Sequence, residues 1–98
     1  MRTNESRMVE KELLRRFAAV DAYRYNSGSL RVRIIDPVFA GLSEDRRDKL
    51  VERALAALPE DTRSDIVNVV PVAPDEISPL SRWSLLLLDF EDPRPSGL

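Results

Sequence analysis

Residues 20–58 read VDAYRYNSGSLRVRIIDPVFAGLSEDRRDKLVERALAAL, and the reading of this stretch decides the fold. Asn26-Ser27-Gly28-Ser29 is turn material, with Gly28 as a residue that tolerates positive φ. It separates two runs, residues 19–26 and 29–36, that are expected to pair as a β-hairpin. Strand side chains alternate between faces, so one register assigns them all. Pairing Tyr25 with Leu30 sets Tyr23 opposite Val32, Arg24 opposite Arg31 and Ala22 opposite Arg33. That register gathers Tyr23, Tyr25, Leu30, Val32 and Ile34 on one face, and Arg24, Arg31 and Arg33 on the other. Its mismatch is Asp21, which falls opposite Ile34. Pro37 has no amide hydrogen for the ladder and ends the second run. Phe39 is expected as a core plug under the next helix, and Gly41 as the residue that allows a tight approach into it. Ser43 suits an N-cap, with Glu44 and Asp45 in the first turn. Leu50, Val51, Ala54, Leu55 and Leu58 then form the apolar face of that helix.

Before this unit, Met8, Val9, Leu13, Leu14 and Phe17 mark an amphipathic helix from Glu5 onward. Its acids come early, and Arg15-Arg16 suit a helix C-terminus. After it, Pro59 stops the second helix or opens a further short turn. Residues 66–72 are β-branched and strand-like, with Pro71 placing the strand's end at an edge. Ala73-Pro74-Asp75-Glu76-Ile77 reads as a helix start. Residues 86–90 are assigned to an extra C-terminal strand, although periodicity does not separate strand from helix in so short a run. The expected order is αββαβα in one domain, residues 5–92, with flexible termini at 1–4 and 93–98. The fold class is α+β: a small three-stranded sheet with helices on one face.

Composition removes several kinds of chemistry. The chain of 98 residues carries 15 Lys and Arg against 17 Asp and Glu, a net charge of −2, which argues against a general nucleic-acid binder. There is no Cys and no His, which excludes disulfides, thiolate metal sites and Ser–His or Cys–His mechanisms. The N-terminus lacks the apolar region of a signal peptide, and the apolar run 85–88 is too short to cross a membrane. A cytoplasmic location is the default expectation.

The order of elements, with a tight hairpin followed by a helix, resembles the BolA family, whose fold is like a type II KH domain. Phe39-x-Gly41, with Phe39 eight residues before Arg47, matches the family's Phe-x-Gly before an Arg-His-Arg-like cluster, which here reads Arg47-Asp48-Lys49. Val51 and Leu55 match its buried helix positions, and Ala73-Pro74-Asp75-Glu76-Ile77 its Thr-Pro-Glu-Glu-Trp-type segment. The resemblance covers residues 5–77 and implies a partner of the monothiol glutaredoxin type and histidine ligands to a shared iron–sulfur cluster. The corresponding positions here read Asp48 and Asp65, hard oxygen donors that suit such a cluster poorly. No cofactor is therefore expected. The Gly-x-x-Gly loop with which KH domains clamp nucleic acid is also missing, since the glycines are Gly28, Gly41 and Gly97.

Four arginines stand out as partner- or anion-binding candidates. Arg24, Arg31 and Arg33 share the polar face of the expected hairpin, where three guanidiniums could hold phosphate or carboxylate. A solvated face, or pairing with Asp89, Glu91 and Asp92 of the tail, is the simpler reading. Arg47 joins them because the family motif lies there. Arg46, Arg47, Lys49 and Arg53 alternate with Asp45, Asp48 and Glu52, which reads as an exposed face laced with ion pairs. Glu60-Asp61 with Asp65 lacks the spaced ligands of a cation loop and reads as solvated. Tyr23 and Tyr25 are expected in the core. Trp83, Leu85 and Leu87 read first as a core-closing element and, if exposed, as candidates for an oligomer contact such as a homodimer. The function expected is a non-enzymatic binding or regulatory module acting through protein contacts. The alternative is anion or nucleic-acid binding through the arginine face.

Overall fold

The computed structural model describes residues 3–77. Helix α1 (Asn4–Leu13) leads into strands β1 (Ala19–Asn26) and β2 (Ser29–Ile35). A 3-10 turn (Pro37–Phe39) precedes α2 (Glu44–Leu55), and the short α3 (Glu60–Ser64) precedes β3 (Ile66–Val72) and a second 3-10 turn (Pro74–Glu76). The described residues form one sheet in the order β1-β2-β3, with β1 antiparallel and β3 parallel to β2. The α+β architecture and the order of elements are as expected, but Pro74–Glu76 makes a single tight turn where a longer helix was expected. The C-terminal strand and Trp83, Leu85 and Leu87 lie outside the described residues.

Helix α1 starts earlier than its apolar stripe indicates. The Thr3 hydroxyl accepts from the Ser6 amide at 3.2 Å, and the Ser6 hydroxyl accepts from the Thr3 amide at 2.8 Å. This reciprocal capping box places Thr3 and Asn4, expected among the flexible residues, in the helix start. Val9, Leu13 and Phe17 are buried, whereas Met8 and Leu14 are exposed. The buried stripe also includes Ser6 and Glu10. The Glu10 Oε2 accepts from the Ala22 amide of β1 at 2.8 Å. A carboxylate from α1 therefore satisfies a backbone donor of the sheet.

The hairpin register differs from the expected one by a residue. Asn26 pairs with Ser29, leaving Ser27 and Gly28 as the loop, and the Asn26 side chain accepts from the Gly28 amide at 2.9 Å. A β-bulge then lies between Arg24 and Asn26, so that Arg24 meets Leu30, Tyr23 meets Arg31, Ala22 meets Val32 and Asp21 meets Arg33. An extra residue in one strand moves every side chain before it to the other face. Val20, Ala22, Leu30, Val32 and Ile34 consequently face the helices and join Val9, Leu13, Phe17, Phe39, Val51, Ala54, Leu55 and Leu58 in the main core. Tyr23 is fully buried, as expected, but on the opposite face with Val70 and Val72. Tyr25, at the bulge, is 56% exposed and not a core residue. The mismatch of Asp21 with Ile34 disappears, because Asp21 now opposes Arg33.

Phe39 is buried as expected, and its ring stacks on Phe17 with centroids 5.4 Å apart. Gly41 has φ +78°, while a Cβ there would meet nothing within 4 Å. Its role is left-handed backbone and not close approach. Gly28, which would tolerate positive φ, does not adopt it. The Ser43 hydroxyl accepts from the Arg46 amide at 3.3 Å, the N-cap expected for α2.

Candidate functional site

The four candidate arginines divide into three environments. Arg24 stands on the helix side of the sheet, where it donates to Asp65 Oδ2 at 3.0 Å and to the Ser27 carbonyl at 3.0 Å. Its Nε lies 3.6 Å from Glu5. Arg33, on the other face, donates from Nε at 3.1 Å and from Nη2 at 2.6 Å to Asp21 Oδ2 of the neighbouring strand. The Arg31 guanidinium lies over the Tyr25 ring, with Cζ 3.9 Å from its centroid. The bulge thus breaks up the expected row of three arginines and pairs two of them with the protein's own carboxylates.

Arg47 has the most enclosed position. It is 1% exposed, although it belongs to a helix whose neighbouring charges face water. Its Nε donates to the Leu42 carbonyl at 2.9 Å, and Nη1 donates to the Pro71 carbonyl at 3.0 Å. Nη1 and Nη2 also meet the two oxygens of Glu76 at 2.6 and 2.7 Å. Glu76 Oε1 further accepts from the Ala73 amide at 2.8 Å. The Arg47 hydrogen bond, assisted by the Ala73 amide, holds the Glu76 carboxyl below its usual pKa range against the opposing effect of burial. The guanidinium thereby fastens the start of α2 to the end of β3 and the turn after it. A depression of about 600 Å³ opens beside this pair, lined by Gly41, Leu42, Ser43, Glu44, Asp45, Arg47 and Glu76. Its lining charges are mostly acidic, and the Arg47 donors already have partners, so it offers an anion little.

The remaining charges of α2 fall largely into stripes of like sign, with Lys49 bordering Asp45 and Glu52. Residues three and four apart share a helix face. Glu44, Asp48 and Glu52 therefore form one stripe beside Asp45, while Arg46, Lys49 and Arg53 form another. Partial desolvation at the helix surface, and then the charges of Glu44, Asp45 and Glu52, push the exposed Asp48 carboxyl up in pKa. Among the described residues no carboxylate comes within ion-pairing reach of Arg46, Lys49 or Arg53, nor of Arg16 at the end of α1. The expected lacing of this face by ion pairs is therefore absent. Sequence adjacency hid the sorting, because neighbours along the chain point about 100° apart around a helix.

The basic stripe borders two adjoining depressions. One, of about 250 Å³, is lined by Leu42, Arg46, Lys49, Leu50 and Arg53. The other, of about 410 Å³, is lined by Arg16, Phe17, Val38, Leu50 and Arg53. They share Leu50 and Arg53 and make a groove with an apolar floor and a cationic rim. Val38 is 48% exposed there. Of these residues, Arg46, Lys49 and Arg53 were expected on an exposed face laced with ion pairs. Leu50 had been assigned to the core, which it meets from one side while also lining the groove.

The positions that the resemblance assigns to cluster ligands do not suit that task. Asp48 is exposed within the acidic stripe, and Asp65 is held by Arg24. Both offer hard oxygen, and the sequence supplies neither imidazole nor thiolate. No group of three or more acidic side chains among the described residues is arranged to hold a metal ion, the cluster of Glu60, Asp61 and Asp65 included. No helix among them is long and apolar enough to cross a membrane.

No model of a known protein family matches the sequence, and no curated protein matches it. The fold does have a match among solved structures. BolA1 from Arabidopsis thaliana superposes with a TM-score of 0.61 at 20% identity, covering 79% of this chain and 99% of that one. The chain therefore has a BolA-like fold. At that identity the likeness concerns architecture and leaves the chemistry to be argued from the site.

Proposed function

We propose that a chain with this BolA-like fold works as a small non-enzymatic binding or regulatory module, through contacts with another protein. The observation that carries the reading is the groove beside α2, where four cations without carboxylate partners among the described residues surround a partly exposed apolar floor. Arg46, Lys49 and Arg53 lie three and four residues apart on one strip of the helix, so their charges stand side by side at the rim. Cations that rim an apolar depression in this way are suited to a partner's surface, where aromatic or aliphatic anchors enter a floor ringed by polar contacts. The sequence adds that the side chains most used for acid–base and nucleophilic catalysis, His and Cys, are absent. The hairpin arginines support anion or nucleic-acid binding less well, because Arg24 and Arg33 already hold Asp65 and Asp21.

In-cell photocrosslinking tests this reading. A benzophenone amino acid at Leu50 is expected to capture a protein, and the same group at the exposed Val67 of β3 is not. Equal yields of the same adducts at both positions, or capture of nucleic acid alone at position 50, would count against it. So would a sustained turnover that copurifies with the homogeneous protein.

A further inference from the structure

We infer that the groove beside α2 receives a short acidic segment of the partner protein in which carboxylates alternate with large apolar side chains. The inference rests on the protein-contact reading above and adds the chemistry of the partner. Arg16, Arg46, Lys49 and Arg53 form the rim, and Leu50 lies on the floor of both depressions. Carboxylates complement that rim, and aliphatic or aromatic side chains complement that floor. Neither a purely acidic chain nor a purely apolar one meets both demands.

Size narrows the occupant further. Arg46 and Arg53 are two helical turns apart, a separation of roughly 10 Å along the axis at about 1.5 Å per residue. A matching segment is about two turns of helix or three to four extended residues. The adjoining depressions of about 250 and 410 Å³ are each of a size to take a bulky side chain or two of the partner.

Charge balance favours an acidic peptide over nucleic acid. The whole chain carries a net charge of −2, and the acidic stripe of Glu44, Asp48 and Glu52 flanks the basic one on the same helix. Polyanion binding draws on many phosphate contacts and a field that extends beyond the contact area. Here the positive region is narrow and bounded by negative charge, so a short ligand fits and a long polyanion meets repulsion at the edge. Phe17, the aromatic residue that lines the groove among the described residues, is buried and offers bases no stacking platform. The one exposed aromatic ring among the described residues is Tyr25, at the hairpin end under the Arg31 guanidinium.

Three labelled probes decide the matter with the full chain: a peptide alternating Glu or Asp with Leu or Phe, an oligoglutamate of equal charge, and a single-stranded oligonucleotide of equal charge. The alternating peptide is expected to bind tightest and to shift the amide resonances of Leu42, Leu50 and Arg53. Lys49→Glu with Arg53→Glu is expected to weaken it about tenfold or more, because each attraction becomes a repulsion. Arg16→Glu, which lies off the helix, is expected to act in the same direction and guards against a misfolded α2. Tightest binding by the oligonucleotide overturns the inference, as does unaltered peptide binding by both variants. A concentration-dependent doubling of mass that the charge reversals abolish also overturns it, by giving the groove to a second copy. Protein capture at position 50 without binding of the alternating peptide overturns the acidic segment alone and leaves the protein-contact reading standing. Failure of both experiments removes both.

Discussion

Arg47 and Glu76 stand 29 positions apart in the chain and close on each other as a two-pronged ion pair with side-chain exposures of 2% and 17%. Arg47 belongs to the cluster after Phe39-x-Gly41, and Glu76 to the Ala73-Pro74-Asp75-Glu76-Ile77 segment. The two stretches that resemble BolA-like proteins are thus halves of one structural clasp. Arg47→Met is expected to destabilise the protein by about 3 kcal/mol, because it leaves an enclosed carboxylate and the Pro71 carbonyl without their donor. Urea unfolding at neutral pH measures the loss. Glu76 also makes the clasp sensitive to acid. Its folded pKa lies below the unfolded reference of 4.5, so its contribution is complete above that value and fades as the pH falls through the lower, folded one. Glu76→Gln is expected to lower stability at neutral pH and to flatten the acid limb of the stability curve. An acid limb unchanged from that of the parent would disprove the assignment.

Helix α2 presents three distinct strips: a buried one with Arg47, Val51, Ala54 and Leu55, an acidic one and a basic one. The acidic strip carries an internal cost. The folded pKa of Asp48 lies above its reference of 3.8, so the ionised carboxylate opposes folding at neutral pH. That opposition lessens as the pH falls through the folded value and vanishes below the reference. Asp48→Asn is expected to stabilise the protein by about 0.5 kcal/mol at low salt, the scale of like-charge pairs on a helix, and by less at high salt. A melting temperature that falls would contradict it. The two loop glycines make a second test. Gly41→Ala forces a side chain into φ +78° and is expected to cost about 1–2 kcal/mol, although no atom stands in its way. Gly28→Ala keeps an ordinary φ and meets Asn26 Oδ1 at 3.9 Å, so its effect is expected to stay near zero. Thermal unfolding of the two variants side by side measures the contrast.

Across the whole molecule, the helices close one face of the sheet through a core in which Phe39 is fully buried and stacked on Phe17. Phe39→Ala removes the ring that links α1's exit to the turn before α2, and is expected to cost about 3–5 kcal/mol in denaturant unfolding. A smaller loss would mean that the site collapses around the missing ring. The other face holds a second apolar cluster of Tyr23, Val70 and Val72, so this sheet buries side chains on both faces. The same two-sidedness governs the arginines. On the helix side Arg24 links Glu5 of α1, the hairpin loop and Asp65, while across the sheet Arg33 holds Asp21 on the adjacent strand. These contacts brace the fold, whereas Arg46, Lys49 and Arg53 of α2 have no carboxylate within ion-pairing reach among the described residues.

The sequence by itself determined the order of elements, the hairpin, the Ser43 cap, the Phe39 plug and the α+β class. Each of these follows from local chemistry: side-chain period, proline and glycine placement, and capping groups within a turn of one another. The residues that carry the family likeness were legible too, though not their bond to one another. Only the tertiary structure decided the hairpin register, because a single bulged residue reverses the faces of β1 before it and both registers give a plausible sorting of apolar side chains. The misplaced Asp21 was the available sign of the slip. The same holds for Glu10, whose partner is a strand amide 12 positions away, and for Arg47, whose partners lie beyond the helix that carries it. The candidate site was hidden for a related reason. Whether charges along α2 neutralise one another or stand apart depends on where each side chain points in three dimensions, and a helix sends its sequence neighbours to different strips.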